Sequence, residues 1–337
     1  MNSTKLLIKR SIKSVASLAK GVGFSQPAPG SVNIIAYHRV VADIAKAEKE
    51  AIYGLVVSST TFRRHCEALK KAFDVVSLET AMHFLDGERK VTRPLAVITF
   101  DDGYIDFYEE AFPILNDLAL PATVFLPTGF IGQNKPLAHD RIFWLVKQAS
   151  EKFVSVGDAL KKAGLTNASV NSRDLLSLTD SIVYLPNEQR EKIIVELEKL
   201  LGDFADYPPE YQLLSWEKVL EMARKGISFG VHTANHVVLP LEDEPTLEAE
   251  IVESRKELER RLNEKVVSFA YPNGEYNARV RQLVEQAGYK VAVTTEKRIN
   301  QPGADLLALG RISLCEESTR GFKGTYSPRV ADLRLGI

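Results

Sequence analysis

Two aspartates stand side by side after an apolar run, in Thr99-Phe100-Asp101-Asp102-Gly103-Tyr104, and two histidines stand four residues apart in His232-Thr233-Ala234-Asn235-His236. Adjacent carboxylates at the end of a buried segment repel each other unless a cation or a shared proton relieves them. Histidines at i and i+4 lie on the same side of a helical turn and can present two imidazoles to one ion. Two His and one carboxylate leave coordination positions open, as hydrolytic chemistry requires. Zinc is the default ion for such donors, and iron, cobalt or nickel also suit them. Spacing alone does not divide the two aspartates into ligand and base.

The elements that must position these groups alternate. Short apolar runs at Val32 to Tyr37, Leu95 to Phe100, Ala122 to Leu126, Ile227 to Val231, Val266 to Tyr271, Lys290 to Thr294 and Leu309 to Leu314 read as buried strands, separated by segments of helical periodicity. Such alternation predicts an α/β fold, a distorted (β/α) barrel of about seven parallel strands. Reactive groups collect at the carboxyl ends of strands in these architectures. Tyr37-His38-Arg39, the Asp101-Asp102 pair, His232 to His236 and Tyr271-Pro272-Asn273-Gly274 all fall at such ends.

Residues 133–212 break the rhythm with helical periodicity and no convincing strand, and are read as a helical insertion within a barrel spanning 31–315. Residues 316–337 read as a C-terminal tail, and 1–25 as a basic amphipathic helix. Within it, residues 4–22 place Ile8, Ile12, Val15, Ala19 and Val22 on one face, a pattern suited to an anionic membrane surface. A helix packed on its own domain is the alternative reading. The formal net charge of −1 gives no global argument for nucleic acid. Two cysteines far apart, Cys66 and Cys315, imply no disulfide framework. With no compact apolar leader and a basic N-terminus, the expected place is the cytoplasm, peripheral at the inner face of the membrane.

The motifs resemble those of the polysaccharide deacetylases of the NodB-homology type, carbohydrate esterase family 4. Thr99 to Gly103 matches that family's first motif, and His232 to His236 its second. The resemblance implies Asp101 as general base, Asp102, His232 and His236 as ligands to one divalent metal, and an amino-sugar glycan or glycan precursor as partner. The family's third motif carries an arginine where this sequence has Ala270, in Ala270-Tyr271-Pro272-Asn273-Gly274; Arg311 is the candidate substitute. The turn at Asn273 offers a backbone N–H for an oxyanion. No histidine follows His236, so the general acid falls to His38, as in the circularly permuted branch resembling poly-N-acetylglucosamine deacetylases. Tyr271, Asp140, Arg311 and Tyr104 are the candidates for substrate contact, and His139 and Asp140 open the insertion.

These expectations together describe metal-dependent removal of an N-acetyl group from an amino sugar in a polysaccharide or in its lipid- or nucleotide-linked precursor. Removal of formyl or O-acetyl groups, and a carbohydrate-binding barrel without turnover, are the alternatives.

Overall fold

The computed structural model describes residues 30–337 apart from residues 53, 88–91, 164–174, 203–205 and 323. The basic helix expected over residues 1–25 lies outside them. Ten strands are present among the described residues: β1 (Val32–Tyr37), β2 (Arg39–Val41), β3 (Val56–Ser58), β4 (Asp74–Val75), β5 (Leu95–Phe100), β6 (Thr123–Leu126), β7 (Ser228–Val231), β8 (Ser268–Ala270), β9 (Val291–Val293) and β10 (Ile312–Ser313). The principal helices are α1 (Ile44–Glu50), α2 (Ser59–Ala72), α3 (Leu78–Leu85), α4 (Phe112–Asp117), α5 (Ala138–Glu151), α6 (Val156–Lys162), α7 (Leu175–Val183), α8 (Asn187–Leu201), α9 (Trp216–Arg224), α10 (Glu244–Glu248), α11 (Ser254–Leu262), α12 (Ala278–Gln286) and α13 (Pro328–Leu335).

Seven parallel strands pair in the order β10-β1-β5-β6-β7-β8-β9, with β4 added beside β5. The sheet curls as the expected distorted barrel. Leu309, just before β10, forms a parallel bridge with Val293 of β9, so one short segment spans the seam between the sheet's two edges. Every residue of β1 and β5 is buried, as strands covered on both faces require.

Side chains alternate across each strand. Ile34, Val97, Phe125, Ala270, Val291, Val293 and Leu309 form one apolar cluster drawn from successive strands, while Ile35, Ile98, Val124, Val231 and Phe269 pack with the surrounding helices. Continuing the first alternation past the strand ends carries Ala36 to His38, Val97 to Thr99 and Asp101, and Gly230 to His232. Register brings these together: Tyr37 pairs with Phe100, the Asp101 N–H donates to the Tyr37 carbonyl, and the His232 N–H donates to that of Leu126.

The helices α5 to α8 form a second apolar core of their own, built on Ile142, Leu145, Ile182, Ile193 and Leu197. The segment read as a C-terminal tail is packed against the barrel. Ser327 caps α13, Ala331 and Leu335 are fully buried one turn apart, and Asn33 donates to the Leu335 carbonyl. A short rim sheet, β2 with β3, was not foreseen.

Candidate active site

Asp102, His232 and His236 converge at the carboxyl end of the sheet, with one ligand atom from each lying within 4.8 Å of the others. His232 Nε2 is 3.6 Å and His236 Nε2 3.3 Å from Asp102 Oδ1. Tetrahedral ligands at zinc distances of about 2.0–2.1 Å stand about 3.3 Å apart. The His232 Nδ1–H donates to the Ala270 carbonyl at 2.7 Å, which fixes the tautomer and leaves Nε2 free for an ion. Asp102 Oδ1 is buried with no hydrogen-bond partner, an orphan that a cation would satisfy. Burial raises the Asp102 carboxyl well above its usual range, with Asp101 and Asp140 adding repulsion, and it holds both imidazoles neutral. The donor set fits a divalent ion.

Asp101 faces a different partner. Arg311, 1% exposed, makes a two-pronged contact with it, Nη1 to Oδ1 at 2.7 Å and Nη2 to Oδ2 at 2.6 Å, while its Nε donates to the Thr294 carbonyl. Burial alone would raise this carboxyl, but Arg311, His232 and His38 outweigh it and hold Asp101 well below the usual carboxylate range. The guanidinium comes from the segment that bridges the barrel seam. His38 is half-buried at the end of β1; burial lowers it to about 4 against the opposing pull of Asp101.

Behind this layer the Tyr104 hydroxyl donates to Asp140 Oδ2 at 2.8 Å and contacts His139 Nε2 at 2.9 Å. His139 Nε2 lies 3.9 Å from Asp102 Oδ2, and its ring packs against that of His236. Arg39 covers the Tyr104 ring and pairs with Asp106 at 2.7 Å. Tyr104, Asp140, Tyr271 and Arg311, the candidates for substrate contact, are each 0–1% exposed. Tyr271 donates to the Leu307 carbonyl and Arg311 pairs with Asp101, while Asp140 Oδ1 has no partner. Asn273 adopts a left-handed conformation, φ 55°, in the turn Pro272–Gly274, and its Nδ2 is buried without a partner. Gly274 is required there, since a Cβ would stand 2.1 Å from Thr295 Oγ1 at φ +72°.

The family model for polysaccharide deacetylase matches residues 88–292, more than half of the chain. The chain belongs to the polysaccharide deacetylase family. YxkH of Bacillus subtilis (strain 168), which bears a polysaccharide deacetylase name, is 20% identical over 299 residues, covering 88% of this chain and 76% of that protein. Two solved structures share the fold. The Streptococcus pyogenes deacetylase PplD, in complex with acetate, has a TM-score of 0.58 at 22% identity and covers 86% of this chain and 95% of its own. IcaB from Ammonifex degensii has a TM-score of 0.59 at 18% identity, with coverage of 92% and 100%.

The family match contains Asp101, Asp102, His232 and His236 and leaves His38 and Arg311 outside it. In this deacetylase those two belong to paired strands, His38 just after β1 and Arg311 just before β10. Sequence reasoning left three buried groups of the site without a role: His139, Arg190 and Glu250. Glu250 takes the N–H groups of Ala234 and Asn235, and Arg190 reaches the His236 carbonyl. Only the His139-Asp140 pair at the start of the insertion carried any signal.

Proposed function

We propose that the protein hydrolyses the N-acetyl group of an amino-sugar unit in a glycan or glycan precursor, with one divalent cation, zinc first among them, held by Asp102, His232 and His236. The observation that carries this reading is the two-pronged Arg311–Asp101 contact beside the buried Asp102–His232–His236 cluster. It supplies a fixed, ionised carboxylate next to a cation site, in a family named for deacetylation. The acetate complex of PplD supports acetate as the released acid.

A cation held at that cluster supplies Lewis acidity toward the acyl oxygen and acidifies water. Asp101 accepts a proton from the attacking water, and Arg311 keeps the carboxylate aimed and ionised. The Asn273 backbone N–H, in the turn that follows β8, donates to the developing oxyanion. His38 is neutral at rest, so the proton it delivers is the one taken from water through Asp101. It passes to the sugar nitrogen as the C–N bond breaks, and the water oxygen leaves in acetate. The buried guanidinium committed to one carboxylate supports turnover over a barrel kept only for binding.

The basic residues Lys5, Lys9, Arg10, Lys13 and Lys20 in the sequence support a lipid- or nucleotide-linked precursor at the inner face of a membrane as the substrate. Acetate release from N-acetyl and O-acetyl sugars, with and without a chelator, tests the reaction. Asp101→Asn should keep the metal and lose most turnover, whereas His232→Ala should lose the metal. Parent-like activity in both variants would sink the mechanism.

A further inference from the structure

The turn from His232 to His236 holds both imidazoles, and it is not a relaxed one. Thr233 and His236 sit at φ 66° and φ 50°, in the left-handed region that residues with a Cβ avoid. Something must over-determine that shape. The Thr233 conformation turns the next two N–H groups, of Ala234 and Asn235, toward one point, the concave arrangement that binds an anion.

Glu250 fills it. Its Oε2 accepts the Ala234 N–H at 2.9 Å and the Asn235 N–H at 2.8 Å, and its Oε1 accepts from Asn235 Nδ2 at 2.7 Å. Glu250 is 1% exposed and lies in the π-helical turn Ala249–Glu253, which runs on between α10 and α11. A π-turn inserts one residue into the helical repeat and re-aims the side chains that follow its start. The opposite end of the loop is gripped from the insertion. Arg190 of α8, also 1% exposed, donates from Nη1 toward the His236 carbonyl at 3.4 Å and from Nη2 to Asn187 Oδ1 at 2.9 Å. Its Nε has no hydrogen-bond partner, and Glu250 is among the carboxylates that feel its charge.

We infer that Glu250 and Arg190 are positioning residues that hold the His232–His236 turn in its ligating shape and so set the cation affinity of the site. This rests on the reading that Asp102, His232 and His236 hold a metal. Neither side chain reaches a ligand nitrogen; each acts on the peptide groups between and beside the two histidines. Glu250 holds the N–H side; on the C=O side the Thr128 and Gly129 N–H groups donate to the Thr233 and Ala234 carbonyls and Arg190 of the insertion reaches that of His236, so the insertion adds one contact to the turn.

The test is a zinc titration of the full chain against a chromophoric chelator at neutral pH, for the parent, Glu250→Gln, Arg190→Met and the double variant. Each single change should weaken zinc binding about 10- to 100-fold, as removal of supporting groups behind metal ligands does. The double variant should lose less than the product of the two, since both act on one turn. Excess zinc should restore turnover, which a general loss of folding would not allow. Asn235→Ala removes only the Oε1 contact and carries the test if Glu250→Gln does not fold; it should still weaken binding several-fold. Folded variants with the parent's zinc affinity would overturn the inference while the metal reading stands. A fully multiplicative double variant would overturn the joint action. A parent chain that binds no zinc would overturn the metal reading and this inference together.

Discussion

Asp102 adopts φ 73°, so a metal-ligand candidate sits both in a disfavoured backbone region and with a buried, orphaned oxygen. Replacement by asparagine removes the buried charge and eases the backbone cost, since asparagine tolerates the left-handed region. Asp102→Asn should therefore abolish metal binding and yet stabilise the metal-free protein by about 1–2 kcal/mol, read as a higher urea midpoint. Arg311 gives the complementary case. A lysine there keeps the charge and loses the parallel pair of donors. Arg311→Lys should lower kcat about 100-fold with metal content unchanged; equal turnover would show that charge alone suffices. The four residues that carry the motifs were legible because each is polar at the end of an apolar strand. His139 was less so, because a histidine on the periodic face of α5 looks like any other helical position. Glu250 and Arg190 were silent for the same reason, lying in charge-rich helical stretches where only tertiary packing tells a solvated charge from a buried one.

Among the elements, the turn Pro272–Gly274 is fixed most tightly. Gly274→Ala would place a methyl against Thr295 Oγ1 and N at a positive φ, so about 2 kcal/mol or more of stability should be lost, with the larger drop in kcat if Asn273 moves. Helix α2 makes a second, separable prediction through His65, which is fully buried between the Tyr37 hydroxyl and Thr319 Oγ1. Burial lowers its pKa from 6.5 to about 4. The folded state then binds this proton less readily than the unfolded chain. Its contribution is complete above about pH 6.5 and is lost as pH falls toward 4. Urea midpoints should drop across that window, and His65→Gln should flatten part of the drop, the rest belonging to the other buried imidazoles, His38, His139, His232 and His236. Strand positions were readable from unbroken apolar runs, and α9 from Ser215 at its start and Gly226 beyond its end. The rim strands β2 and β3, three residues each, are too short to carry a period, and the π-turns at Phe107–Ala111 and Ala249–Glu253 look like plain helix in sequence.

For the molecule as a whole, the barrel and the insertion have distinct apolar cores and meet at the metal cluster through His139 and Arg190. A cation bound there stabilises only the folded state. Zinc at 100 times its Kd should add about 2.7 kcal/mol, raising Tm by several degrees, and a chelator should reverse this; an unchanged Tm would contradict the site. The ring itself was legible in the count of strands, but the way it closes was not, since Leu309 to Ser313 pairs on one side with β9 and on the other with β1 through only a few residues.

That closure has a consequence for the living cell. The ribosome releases His38 first, the three ligands next and Arg311 only 75 residues after His236. A nascent chain can assemble its cation cluster before it owns the guanidinium that aims the base. Hydrolysis is thus withheld until Arg311 is in place, and a chain cut between β9 and residue 311 should take up metal and leave acetylated sugars intact.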